Sequence, residues 1–275
     1  MLINTNVNAL ISVNQLRMTE RGLSQGLQRL SSGLKINSGA DDPSGLAVAK
    51  GMEAQLGGQK VAMQNAEDGI SVIRLADGSL NETQSILARM RDLAVRASNQ
   101  ATLTTNDLAR LDNEFQSLKS ELSRKASTVS FNSKVLFSGL FASGLALQVG
   151  ADNNANMRLS VVIGTMTITG LGLTAAVTVS RMTAAQSAID IVNSAINRIS
   201  STRASLGIQE RRLGYIIDDL NTSIINVSAA KSRIMDADMA VEVTELTRLQ
   251  ILQQSGTAIL AQSNTLPQSI LKLIG

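Results

Sequence analysis

The sequence predicts a mainly α protein: an elongated, coiled-coil-like helical bundle of N- and C-terminal helices, with a small β-hairpin region in the middle. Three observations predict it. Between Ile189 and Ile234, residues at alternating spacings of three and four form one apolar stripe, the seam of a long helix in a coiled coil. Only two prolines occur in 275 residues, so little interrupts a helix. From Thr128 to Ser180 the composition turns to Gly, Ser, Thr and Val, as expected of turns and short strands.

The elements follow in order. An N-terminal helix carries Leu23, Leu27, Leu30 and Leu34, and a loop marked by Ser31-Ser32-Gly33 and Asn37-Ser38-Gly39 separates it from the next. Asp42 followed by Pro43 reads as an N-cap with proline at the first helical position. The helix it opens carries a stripe of Ala62, Ala66, Gly69, Ile73, Ala76, Leu80, Thr83, Leu87, Met90, Ala94 and Ala97, whose small residues admit a close partner. Gly51, Gly57 and Gly58 lie inside it, each costing roughly 1 kcal/mol relative to Ala, and mark either a kink or a close backbone contact. A third helix, entered through Thr104 and Asp107, carries Leu108, Leu111, Phe115, Leu118 and Leu122.

Strands at Leu145–Val149 and Met157–Ile163 flank the turn signal Asp152-Asn153-Asn154 and predict a hairpin. The alternation Thr165-Met166-Thr167-Ile168-Thr169 fits a further strand. Thr183 with Gln186 reads as a capping box for the final long helix of the bundle. Its stripe has three polar interruptions, Arg203, Glu210 and Lys231, which either set register across the seam or lie solvated at its edge. The implied organisation is helical ends at 1–42 and 236–275, with 43–235 as a bundle holding the β region at about 128–180.

Composition narrows the chemistry. With no His and no Cys, imidazole acid–base catalysis, thiolate chemistry, zinc ribbons and disulfides are excluded. The sequence therefore predicts no enzyme, no metal and no cofactor. Lys and Arg number 25 against 22 Asp and Glu, too balanced for a nucleic-acid footprint. The charge-free stretches are diluted by Asn, Gln, Ser, Thr and Gly, so no membrane insertion is expected. The first basic residue is Arg17, which predicts no conventional cleaved signal peptide.

The two ends hold the strongest physical signal. Leu249–Leu271 contains five Gln and no charge, yet its apolar residues point in several directions around a helix. Leu2, Ile3, Val7, Leu10 and Ile11 are the N-terminal counterpart. A helix apolar on more than one face has to be covered from several sides, and two ends of one chain share only one seam. The faces left over call for other copies, which predicts a polymerisation surface of Leu2, Ile3, Val7, Leu10, Ile11, Val243, Leu246, Ile251, Leu252, Ile259 and Leu260.

Short motifs agree with this reading. They are Ile3-Asn4-Thr5-Asn6, Leu30-Ser31-Ser32-Gly33-Leu34-Lys35-Ile36-Asn37, Asp41-Asp42, Asp68-Gly69-Ile70-Ser71 and Arg89-Met90-Arg91-Asp92-Leu93-Ala94-Val95. Further on come Gln148-Val149-Gly150-Ala151, Ala230-Lys231-Ser232-Arg233-Ile234, Asp236-Ala237-Asp238, Gln250-Ile251-Leu252-Gln253-Gln254 and Leu266-Pro267-Gln268. In these motifs and their order the chain resembles bacterial flagellin, with departures at Met235, Met239 and Gly57-Gly58. The resemblance implies a minimal subunit that self-assembles into the helical flagellar filament used for swimming. It implies export unfolded through a type III apparatus, and a secreted, extracellular location. The partners it implies are the chain itself, the export apparatus, an export chaperone, and the filament cap and hook-junction proteins. A host Toll-like receptor is a further implied partner, recognising Arg89, Leu93 and Glu114. A hook–filament junction protein with flagellin-like termini is the alternative reading.

Overall fold

The structure, a computed structural model, describes residues 6–99, 101–174 and 176–274, with side chains to residue 265. Among the described residues, six α-helices and two hairpins follow one another, with a 3-10 turn at Ala155–Met157. Helices α1 (Val7–Ser32), α2 (Pro43–Ala97) and α3 (Thr105–Thr128) come first. Strands β1 (Ser130–Phe131), β2 (Lys134–Val135), β3 (Leu145–Gln148) and β4 (Arg158–Val161) follow, then α4 (Ile168–Leu171), α5 (Met182–Met235) and α6 (Met239–Ile274). The chain divides into two compact units, residues 57–224 and residues 1–56 with 225–275. The divisions fall inside α2 and α5, whereas the sequence places boundaries at the loops near 42 and 235. The first turns of α2 and the last of α5 pack with those loops, through Ile36, Ala49 and Met235.

In the larger unit the predicted stripe of α2 is the core, all eleven of its residues being buried. Against it lie Val192, Ile199, Leu206 and Leu213 of α5 and Phe115 and Leu122 of α3. The three polar interruptions of the α5 stripe each meet an opposite charge on α2. Arg203 pairs with Asp77 at 2.8 Å, Glu210 with Arg74 at 2.7 Å and Lys231 of the smaller unit with Glu53 at 3.7 Å. Numbers rise along one helix as they fall along the other, so the pairing is antiparallel. Arg203 also donates to Asn81 and Gln84, spanning two turns of α2. Exposed ion pairs contribute little stability; recurring in step with the stripe, these specify its register.

Capping explains most element boundaries. Thr104 and Asp107 form a reciprocal capping box at α3, and Asp42 accepts the Gly45 N–H at 2.9 Å ahead of Pro43. The first helix runs through Ser31 and Ser32, and Gly33, in the left-handed region at φ 72°, ends it. Two expectations are corrected. Helix α5 begins at Met182, so Thr183 lies inside the first turn and forms no capping box with Gln186. Thr165–Thr169 is not a strand, because the Thr167 hydroxyl accepts the Gly170 N–H at 3.1 Å and starts the short helix α4.

The β region is bound to the helices by side chains that imitate strand edges. β3 pairs antiparallel with β4 in the register Leu145↔Val161 to Gln148↔Arg158, the predicted hairpin. Gln209 of α5, buried, donates to the Val162 carbonyl at 3.1 Å and accepts its N–H at 3.0 Å. On α3, Asp112 accepts the Val179 N–H at 2.8 Å and Lys119 donates to the Val177 carbonyl at 3.4 Å. Burial lowers the pKa of the Lys119 ammonium, with Asp112 opposing the shift. The hairpin β1–β2 was not anticipated by periodicity, because each strand has two residues.

The helical glycines divide by what surrounds them. A Cβ on Gly58 would lie 2.7 Å from the Ala151 Cβ, so this glycine admits the tip of the β3–β4 hairpin. Gly51 and Gly57 face open space. Adjacent substitutions should therefore act with opposite sign. Gly57→Ala should stabilise the unassembled chain by about 0.5–1 kcal/mol, and Gly58→Ala should destabilise it by about 1–3 kcal/mol, both read by chemical denaturation.

In the smaller unit, the loops on either side of the long helices are clamped together. The Lys35 N–H donates to the Met235 carbonyl at 2.6 Å and the Ala237 N–H to the Gly33 carbonyl at 3.0 Å. Asp41 holds the first loop in shape, accepting the N–H groups of Asn37 and Ser38 and the Ser38 hydroxyl on one oxygen. The Ser38 and Asn37 backbone hydrogen bonds, then the Ser38 hydroxyl, hold its pKa below the ordinary aspartate value. Because the folded-state value lies below the unfolded one, the loop's stabilisation is complete at neutral pH. It is lost as pH falls through the folded-state value. NMR titration should show the Asn37 and Ser38 amides moving together with a midpoint below the ordinary aspartate value, and Asp41→Ala should abolish that transition.

Candidate assembly interface

Helices α1 and α6 pair antiparallel along a single narrow seam. Asn6 donates to the Ser263 carbonyl at 2.8 Å at one end, and Arg29 meets Glu242 at 3.3 Å at the other. Between them, glycine on one helix faces leucine on its partner. A Cβ on Gly22 would lie 3.4 Å from Leu249, one on Gly26 3.8 Å from Leu246, and one on Gly256 3.4 Å from Leu16. Such close approach keeps the seam thin: only Thr19 and Gly26 of α1 are fully buried. The Thr19 hydroxyl turns back to the Gln15 carbonyl at 3.0 Å and so needs no partner from α6.

Much of the apolar surface of both helices therefore faces outward. Leu10 is 61% exposed, Ile11 63% and Ile251 61%, with Val7, Val243, Leu252 and Ile259 also exposed. Leu246 and Leu260 instead turn partly into the seam. Leu2 and Ile3 lie outside the described residues. The structure adds Met18, Leu27, Met239 and Val241 to the exposed set. Met18 is seven residues after Ile11, a spacing that would have revealed it. Leu27, one of the N-terminal helix's leucines, is solvent-facing, whereas its neighbour Gly26 is buried in the seam. Single apolar residues on a surface need no explanation; here they recur along both paired helices, which makes this pair the candidate interaction site. No helix among the described residues is long and apolar enough to cross a membrane.

Arg89, Leu93 and Glu114 form no common surface. Arg89 donates to the Glu114 carboxylate from two nitrogens, at 2.9 and 2.7 Å, bridging α2 and α3. Leu93 is 3% exposed and belongs to the core. Residues four apart are offset by about 40° around a helix, and the edge of the buried stripe falls between Arg89 and Leu93. The exposed part of the patch is the ion pair alone.

The described residues contain no group of acidic side chains able to hold a metal ion. The described clefts are open. One of about 290 Å³ lies between α2 and the two hairpins, lined mainly by apolar residues with Asp68 and Lys134 at its rim.

Comparison with known proteins gives a consistent result. The bacterial flagellin N-terminal helical region matches residues 3–142, and the bacterial flagellin C-terminal helical region matches residues 189–274. A flagellin of Halalkalibacterium halodurans is 39% identical and one of Bacillus subtilis 37%, each aligned over all of both chains. The flagellar filament 33 kDa core protein of Treponema phagedenis is 36% identical over the same full coverage. Among solved structures, Bacillus cereus flagellin aligns with 61% of this chain and 94% of its own, at 26% identity and a TM-score of 0.50. With both terminal regions matched and full-length relatives well above 30% identity, the chain belongs to the bacterial flagellin family.

Proposed function

We propose that this chain is the structural subunit of an extracellular flagellar filament, assembling with copies of itself into the helical polymer that transmits motor torque for swimming. The observation that carries the proposal is the outward apolar face of the α1–α6 pair. Burying apolar surface gains about 25 cal/mol per Å², and one antiparallel partner covers only one stripe of each helix. Neighbouring subunits supply the remaining cover, so assembly completes the packing of both helices. The role is structural, without catalysis. Relatives named as flagellins and filament core proteins support a filament subunit over a hook–filament junction protein. A flagellar hook-associated protein of Vibrio parahaemolyticus shares the fold at 12% identity and a TM-score of 0.59, which speaks to architecture alone.

A type III export apparatus, an export chaperone covering the apolar end helices, and the filament cap and hook-junction proteins are the partners this role requires. Recognition by a host Toll-like receptor, carried by Arg89 with Glu114, belongs to the same reading.

Deleting the chain from Met239 onward removes α6 and leaves residues 57–224 intact. The truncated chain should remain helical and soluble, and should form no filaments by electron microscopy at concentrations where the full chain polymerises. Arg89→Ala should lower receptor activation by the unassembled chain well beyond any loss of helicity measured by circular dichroism.

A further inference from the structure

The larger unit carries two surface features that the α1–α6 interface does not use. One is the 290 Å³ cleft, floored by Phe131, Phe141, Leu147 and Val161 and rimmed by Asp68 and Lys134. Asp68 and Lys134, both exposed, form no ion pair among the described residues, and the rest of the lining is mainly apolar. The other lies on the outer face of α5. Tyr215, the chain's only tyrosine, is 63% exposed there. Arg212 lies three residues before it and Asp219 four residues after it, and both are exposed and without an ion-pair partner among the described residues. Spacings of three and four place the three side chains on one helix face. The face reads cation, aromatic, anion; the cleft reads anion, apolar floor, cation.

We propose that a second copy of this chain docks this face of α5 into the cleft, seating the Tyr215 ring on the apolar floor. Arg212 then lies against Asp68, and Asp219 against Lys134. The two patches differ, so the contact is heterologous. Such contacts propagate from copy to copy without closing on themselves as a two-fold pair does. A tyrosine seated in a water-excluding pocket is a common interface hot spot, and the charge pattern fixes the direction in which α5 enters. The inference rests on the filament reading and assigns it a second contact, separate from the end helices.

Charge exchange tests it. Lys134→Asp and Asp219→Lys, each alone, should raise the concentration needed for sedimentable polymer by about tenfold. The chain carrying both should recover most of the loss, and all three should match the parent in circular dichroism. In addition, p-benzoylphenylalanine in place of Tyr215, illuminated in assembled chains, should give covalent dimers joined to the 131–147 segment of another copy. Single exchanges that polymerise like the parent, a double exchange no better than the singles, or cross-links elsewhere would overturn this contact and leave the filament reading intact. A parent chain that never polymerises would overturn both.

Discussion

A helix can be apolar in more directions than one partner can cover, and the pairing of α1 with α6 is governed by that constraint. Glycine faces leucine at three levels of the seam, so the helices approach closely and bury little of themselves. A bulkier seam would hide more of each helix and leave less for neighbours. The pair is held at its ends by Asn6 with Ser263 and Arg29 with Glu242, which position the helices without covering their outer faces. The smaller unit is thus specified in geometry while remaining incomplete in burial.

The larger unit solves the opposite problem. Its apolar stripes are satisfied internally, and polar groups limit how they can slide. The pairs Arg203–Asp77 and Arg74–Glu210 fix α5 against α2, and Arg89–Glu114 with Lys125–Glu82 does the same for α3. A slip of one heptad would keep leucine against alanine but would break each of these pairs. Gln209, Asp112 and Lys119 then tie backbone that lacks a strand neighbour to the helices. Little of this adds stability on the scale of the apolar core; it selects one arrangement among several with similar burial.

Much of this was legible in the sequence because long helices repeat their signal. The α2 stripe ran for ten turns in one phase, and every residue of it is buried. The roles of Arg203, Glu210 and Lys231 could not be decided from α5 alone, since the answer lay in Asp77, Arg74 and Glu53 on another helix. Short elements were harder. Thr165–Thr169 alternates like a strand, but one threonine hydroxyl outweighs the pattern by capping a helical turn. At the ends, apolar composition pointed to the assembly surface, while the division between seam and outer face depended on where Gly22, Gly26 and Gly256 let the helices meet. The resemblance grouped Arg89 with Leu93; the edge of the buried stripe separates them.

The hydrogen bond from Asn6 to Ser263 joins residues 257 positions apart, which imposes an order on folding. Everything from Gly57 to Ile224 can find its partners within one continuous stretch, whereas α1 has none until the last part of the chain is available. In a polypeptide released gradually from its N-terminus, the first helix made is the last to be matched. The adhesive pair comes into being only once both ends of the chain are available.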